Sequence, residues 1–432
     1  MSGEEVGGLI VRRVAVVAAV FALVAGACTG GGNQSDAGSG GSVTLSLWIF
    51  EGEETFLPAL KKAFEKENPN VTLKVTDIPE DSYVTKMDTA LAAGSPPDIG
   101  WVYERRWLKA GRVLPLDDVI EANQIDLSAL NENALAGCSY EGNIYCLGSY
   151  TGAVMLFYNK DLFDKAGLDY PSATEPMSID EYADIAAQLT KPNEDLSKHV
   201  FGGTANPPFW WEDTGTHFSE DGRTIEGFVN DSSTVHTYDV LTTMVRDHVA
   251  PSESDFQFFG NTEILATGQL AMSITDNVEA IPVLERAGVS WGAAPTPAEE
   301  AGQSPFVSAW TDQFGVFEGS DNPEAAKEFI AFLSTEGNRL RSERDDALPL
   351  DSTIAEETDW AGKSDGRREA LEVVQLAESE PFIPGFFDVT APLWDSFALV
   401  VEGEMTAQEA LDEVAPDLQT RLDRAWQTWE DT

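Results

Sequence analysis

The tightest constraint on the fold is how little chain separates two strands from the helix between them. Val43-Thr44-Leu45-Ser46-Leu47-Trp48-Ile49-Phe50 is β-rich and apolar at alternate positions, and its outer positions turn apolar as it ends, as a strand covered on both faces requires. Phe56, Leu57, Leu60, Ala63 and Phe64 then fall on one helical stripe closed by Asn68-Pro69, and Val71-Thr72-Leu73-Lys74-Val75 reads as a second strand. Links this short leave a parallel strand–helix–strand unit with a right-handed crossover. A further stripe, Tyr83, Val84, Met87, Ala90 and Leu91, ends at Gly94, and Pro96-Pro97 introduces the strand Asp98-Ile99-Gly100-Trp101-Val102. The chain therefore opens as α/β. Later helices are announced by capping boxes at Ser178-Ile179-Asp180-Glu181 and Thr406-Ala407-Gln408-Glu409, and by a cap and first-turn proline at Asn322-Pro323.

At 432 residues, 42% apolar and 23% charged, the chain exceeds what one core usually holds, so two lobes are expected. Asp and Glu number 74 against 27 Lys and Arg, a formal net charge of -47. Such a surface repels phosphate backbones and anionic membranes, which excludes nucleic acid as a partner. The excess of acid reads first as a solvated surface.

Arg12-Arg13, the apolar run from Val14 to Val24 and the small residues Ala25-Gly26-Ala27 before Cys28 have the layout of a signal peptide over residues 1–27. That run is too short to span a bilayer comfortably, and no later stretch approaches the roughly 18 apolar residues of a membrane helix. Small residues followed by cysteine resemble the lipobox of bacterial lipoproteins. The resemblance implies that Cys28 becomes the lipidated first residue, anchoring the protein to the outer face of the cytoplasmic membrane. Ala25 stands where the lipobox usually has leucine, and Glu4 and Glu5 are unusual ahead of the apolar run. Residues 28–42, rich in Gly and Ser, then form a flexible tether of roughly 20 Å reach. In an oxidising compartment Cys138 and Cys146 are expected to be bridged; Glu141-Gly142-Asn143 between them is turn chemistry, so the pair faces across a hairpin with a structural role.

Several collinear blocks carry a resemblance. Val71 to Lys74, Tyr83 to Asp98, Leu156-Phe157-Tyr158-Asn159-Lys160-Asp161-Leu162-Phe163-Asp164-Lys165-Ala166-Gly167-Leu168, and Asn322-Pro323-Glu324-Ala325-Ala326-Lys327-Glu328-Phe329-Ile330 resemble the extracellular solute-binding proteins of ABC importers, in their carbohydrate-binding, maltose-binding-protein-like branch. The likeness runs from about Val43 to the C-terminus. It implies a two-lobed periplasmic-binding-protein-like fold of type II, each lobe a mostly parallel sheet flanked by helices, with a hinge crossed more than once. Residues 43–151 and 309–352 would form one lobe, and 152–308 and 353–432 the other. The implied partners are a saccharide and membrane permease subunits, with the chain acting as a monomer and needing no cofactor.

A sugar presents apolar C–H faces and a rim of hydroxyls, so its site needs flat rings and planar polar groups. The densest cluster is Asn206-Pro207-Pro208-Phe209-Trp210-Trp211-Glu212-Asp213, where two prolines forbid regular structure; Trp210 and Trp211 are the stacking candidates, with at least one of the three rings expected in the core. By the same resemblance Phe50 and Glu51 line the cleft where the first strand ends, and Tyr103, Glu104 and Arg105 follow the Asp98 strand. Arg105 or Arg106 either forks onto hydroxyls or pairs with Glu104. Trp310 with Asp312 offers one stack and one acceptor, Asp276 and Asn277 are either a contact position or an ordinary turn, and Phe386 lies in a further aromatic loop.

Two other functions fit parts of the pattern. Paired carboxylates are what a glycoside hydrolase uses, but with 74 acidic residues a pair arises by chance. No Gly-x-Ser-x-Gly elbow or phosphate-binding Gly-rich loop occurs, and His199, His217, His236 and His248 lack metal-site spacing, so neither catalysis nor a metal is expected. Carboxylates among rings would also suit a cation such as a polyamine.

Overall fold

A computed structural model of the chain describes residues 42–432, except 51–55, 213, 260–262, 301, 345–346 and 378–381. The expected signal peptide, Cys28, the expected tether as far as residue 41 and Glu51 therefore lie outside the described residues.

The opening unit forms as its periodicity dictates. β1 (Val43–Phe50) pairs in parallel with β2 (Val71–Ile78) along its whole length, Val43 opposite Val71 and Phe50 opposite Ile78. The intervening α1 (Leu57–Glu67) buries Leu57, Leu60 and Phe64, and α2 (Glu80–Ala92) sinks Tyr83 and Met87. β3 (Ile99–Trp101) joins β1 in parallel, and α3 (Arg105–Lys109) leaves from its C-terminal end. A two-residue ladder, β4 (Ser139–Tyr140) with β5 (Asn143–Ile144), is stapled by the Cys138–Cys146 disulfide. Its turn needs positive φ at Glu141 (48°) and Gly142 (85°), the conformation a two-residue hairpin loop requires.

β6 (Gly152–Asn159) is buried at every position, as its unbroken apolar sequence demands. It is the centre of a second sheet, with β7 (Met272–Asp276) and β8 (Trp291–Ala294) on its two sides and β9 (Ala309–Trp310) at its start. All three run antiparallel to β6, whereas a mostly parallel sheet was expected here. The direction of β9 follows from its place, since it leads the chain back toward the point that β6 left. Parallel pairing appears one strand further out, where Phe201 bridges Leu270. The chain then returns as β10 (Phe314–Val316), the antiparallel edge partner of β3, giving the first sheet the order β10-β3-β1-β2.

Both capping boxes form as expected. Asn322 does not cap with its side chain, although its proline does open the helix Pro323–Phe332. The large apolar cluster around the first sheet draws on residues from Leu45 to Leu147 and again from Phe314 to Leu350. Two further clusters, on β6 and its neighbours, draw on residues from Ala153 to Val307 and from Leu348 to Leu422.

Between these clusters the chain passes at Ser149–Thr151, Thr311–Asp312 and Leu348–Pro349, and the three passages are bonded to one another. Ser149 donates its backbone N–H and hydroxyl to the Asp312 carboxylate, and Thr311 donates its hydroxyl to the Tyr150 carbonyl. Thr151 N–H donates to the Leu348 carbonyl at 2.8 Å. Arg341, 3% exposed, donates Nε to the Ser149 hydroxyl at 2.7 Å, reaches Asp312 at 3.5 Å, and lies over the rings of Phe56 and Tyr150. Gly152 is required here, since a Cβ would come within 2.4 Å of the Trp310 indole nitrogen.

Candidate functional site

The candidate site is built from the ends of β3 and β7 and from the aromatic segments 206–211 and 382–394. Tyr103, just past β3, is half-buried, and its ring lies against Phe387 with centroids 5.9 Å apart and planes 28° from parallel. Phe387 is 61% exposed. From it a row of rings continues through Phe386 at 5.5 Å, Phe209 at 6.4 Å and Trp394 at 5.8 Å. Phe209 is buried and holds the row in place, while Trp394 keeps 48% of its surface in solvent. The row thus presents two accessible rings, Phe387 next to Tyr103 and Trp394 at the other end.

Carboxylates flank the row. Burial raises the Glu104 carboxyl above its ordinary value, opposed by the Arg106 guanidinium at 3.4 Å and reinforced by Asp88 and Asp388. The Tyr103 hydroxyl is likewise pushed up, first by burial and then by Glu80, Glu104 and Asp388. Asp276 accepts from the Val278 N–H at 2.6 Å as the cap of the helix Asn277–Ala287, yet burial pushes its carboxyl up to about 7. Near neutral pH such a group both accepts and donates hydrogen bonds.

Several residues expected at a ligand are committed internally. Phe50 is 7% exposed and packs among Tyr83, Trp101 and Tyr103, with centroids 4.3–5.4 Å away. Trp211 is 1% exposed in the core, and its carbonyl accepts from Thr296. Asn277, fully buried, accepts from Ala153 N–H and donates to the Thr151 carbonyl, so its amide ties β6 to the following helix. Asp312, expected to accept from hydroxyls, is fully buried among Ser149, Thr311 and Arg341. Arg105 donates to the Ser139 carbonyl at 2.9 Å and covers the Phe382 ring, while Arg106 forks onto Asp88 at 3.0 and 2.7 Å.

Two expected residues, Trp310 and Phe386, keep partly open positions. Trp310 is half-buried on β9 and Phe386 is half-buried against Phe209 and Phe218. Trp210 closes the turn Pro208–Trp210, and its side chain lies outside the described residues. The sequence reading did not single out Trp394. Its signal was present: Leu393, Ser396, Phe397 and Val400 mark the buried stripe of that helix, and Trp394 falls off it. Among the described residues no cluster of His, Cys, Asp and Glu is placed to hold a metal ion.

The arrangement offers ring faces for apolar C–H surfaces and carboxylates for hydroxyls or cations. No described helix is long and apolar enough to cross a membrane. Among proteins of known name, the chain is 24% identical over 342 residues to the arabinooligosaccharide-binding protein of Bacillus subtilis, covering 75% of this chain and 76% of that one. Among solved structures, an ABC substrate-binding protein of Listeria monocytogenes in complex with cycloalternan superposes with a TM-score of 0.75 at 25% identity, over 88% of this chain and 99% of that one. A maltose/maltodextrin-binding domain from Bdellovibrio bacteriovorus bound to maltotriose has the same fold, with a TM-score of 0.70 at 21% identity, over 88% of this chain and all of that one, 100%. The bacterial extracellular solute-binding protein family matches residues 51–339. With two thirds of its length inside that match, the chain belongs to the bacterial extracellular solute-binding proteins.

Proposed function

We propose that this protein captures a saccharide between two lobes and presents it, chemically unchanged, to the permease of an ABC importer. The lobes are residues 43–151 with 309–352, and 152–308 with 353–432, turning about the bonded passages at Ser149–Thr151, Thr311–Asp312 and Leu348–Pro349. The observation that carries the reading is the aromatic row from Tyr103 to Trp394, with accessible rings at Phe387 and Trp394 and the carboxyls of Glu104 and Asp388 beside Tyr103. Rings stack on the C–H faces of sugar units while carboxylates accept from their hydroxyls. The named relatives that bind oligosaccharides support the ligand class.

A ligand lying along the row bridges Tyr103 of one lobe and Phe387 of the other, which holds the closed form, and the closed form is the one a permease distinguishes from the open form. Trp310 and Trp210 are proposed as further stacking surfaces. Cys28, lipidated after removal of residues 1–27, would hold the protein at the outer face of the membrane on its 28–42 tether. Titrating the protein with a panel of oligosaccharides and polyamines while following Trp fluorescence tests the reading. A saturable response to one or more saccharides is expected. A tight polyamine response with none to any saccharide would replace the ligand, and measurable glycan hydrolysis would replace the function.

A further inference from the structure

The helix Ala407–Asp431 runs about 37 Å at 1.5 Å per residue, longer than the core it serves. Its buried residues, Ala407, Ala410, Leu411, Ala415, Leu418 and Leu422, all lie in the first sixteen positions and pack into the second lobe. Beyond them the helix carries Trp426 and Trp429. Trp426 is held on its own side, donating its indole N–H to the Gly222 carbonyl at 2.7 Å beneath the Arg223 guanidinium. Trp429 reaches the other side. Its ring meets Tyr140 of the disulfide hairpin edge-on, with centroids 6.3 Å apart, and Lys109 Nζ sits 4.9 Å from its centroid while donating to its carbonyl. Phe382 packs on the same Trp429 at 4.6 Å and lies under the Arg105 guanidinium, whose other bond is to Ser139 in that hairpin.

We infer that Trp429 and Lys109 are positioning residues: together with Phe382 and Arg105 they form a clasp that holds the two lobes in register at the edge of the site. The inference rests on the lobe assignment proposed above. The clasp and the ligand row share the same two structural supports. Arg105 and Lys109 lie on α3, which follows directly on Tyr103, and Phe382 precedes Phe387 by five residues. Whatever seats α3 on the 382–429 surface therefore also seats Tyr103 against Phe387. None of the four clasp residues needs to touch the ligand to set how readily the site reopens.

Two measurements on the full chain test the clasp. In small-angle scattering without ligand, W429A and K109A are expected to show a larger radius of gyration than wild type, with W429F retaining the wild-type value. Lys109 is only partly buried, so K109A folds whether or not W429A does and is sufficient alone. An unchanged radius in folded K109A would overturn the clasp. In stopped-flow fluorescence with maltotriose as probe, the same alanine variants should release it about three- to tenfold faster at nearly unchanged association rate. Equal release rates in wild type and K109A would also overturn it. If wild type binds no saccharide while the radius still responds to K109A, the ligand assignment fails and the clasp stands.

Discussion

A buried carboxyl whose proton comes off near neutral pH changes character within the range of ordinary buffers, and Asp276 at the end of β7 is such a group. Its folded value, pushed to about 7 by burial, lies above the 3.8 of an unperturbed Asp. Between these values the folded state holds a proton that the unfolded state has lost, so this group's contribution to stability declines as pH rises from about 4 to 7 and is flat above. Asn at this position keeps an oxygen to accept from Val278 and cannot titrate. D276N is therefore expected to lose less stability than wild type between pH 5 and pH 8 in urea titrations; parallel pH dependences would show that burial does not hold the proton there. For the rings, W394A should weaken binding of a long saccharide by about 1–3 kcal/mol and leave a monosaccharide nearly unaffected, because Trp394 stands at the far end of the row from Tyr103. F387A should weaken both, as read by calorimetry. Equal losses for long and short ligands in W394A would remove it from the site. At this scale the sequence was partly legible. Phe386 and Tyr103 announced themselves as aromatic residues in or next to loops, but nothing local separates Trp211, which packs in the core, from a ring that faces solvent.

Elements were more legible than side-chain roles because their signals are local. The stripes of α1 and α2, the alternation of β1 and the turn between Cys138 and Cys146 are each fixed by residues within a few positions of one another. The antiparallel setting of β6 was not, since its three partners lie more than a hundred residues away. Asp312 and Asn277 meet the same limit: a polar residue at a strand end reads alike whether its partner is a ligand or a distant backbone. Their partners make them joints between passages of the chain. D312A should therefore act on stability, costing about 3–5 kcal/mol by taking the carboxylate away from the buried Arg341 guanidinium and the acceptor away from the Ser149 N–H, while S149A costs about 1 kcal/mol. Denaturant midpoints decide it, and a D312A protein of wild-type stability with lost ligand binding would return Asp312 to the site. The hairpin carries a further expectation. Replacing both Cys138 and Cys146 by Ser opens a short loop and should cost about 2–3 kcal/mol.

At the scale of the whole molecule, the net charge of -47 separates the two ligand classes that the site chemistry alone does not. Rings beside Glu104 and Asp388 accommodate a hydroxylated or a cationic ligand equally well. The long-range field does not treat them equally. An uncharged saccharide feels no net attraction to an acidic protein, so its association depends on shape and stacking, and neither rate nor affinity should respond to the Debye length. A polyamine would be drawn in over the whole acidic surface and would lose that attraction as salt shortens the screening length from about 30 Å at 0.01 M to about 10 Å at 0.1 M. Affinity measured across that range should therefore stay within about twofold for the physiological ligand if it is a saccharide, and fall by an order of magnitude or more if it is a polycation. Closure adds a second handle on the same experiment. In K109A, whose lobes are unclasped, a ligand that joins the lobes should shrink the radius of gyration at saturation, and for a saccharide that shrinkage should be the same at both salt concentrations, because stacking on rings is indifferent to screening. A radius that contracts only at low salt, or an affinity that collapses as salt is raised, would mean that charge rather than ring faces recognises the ligand.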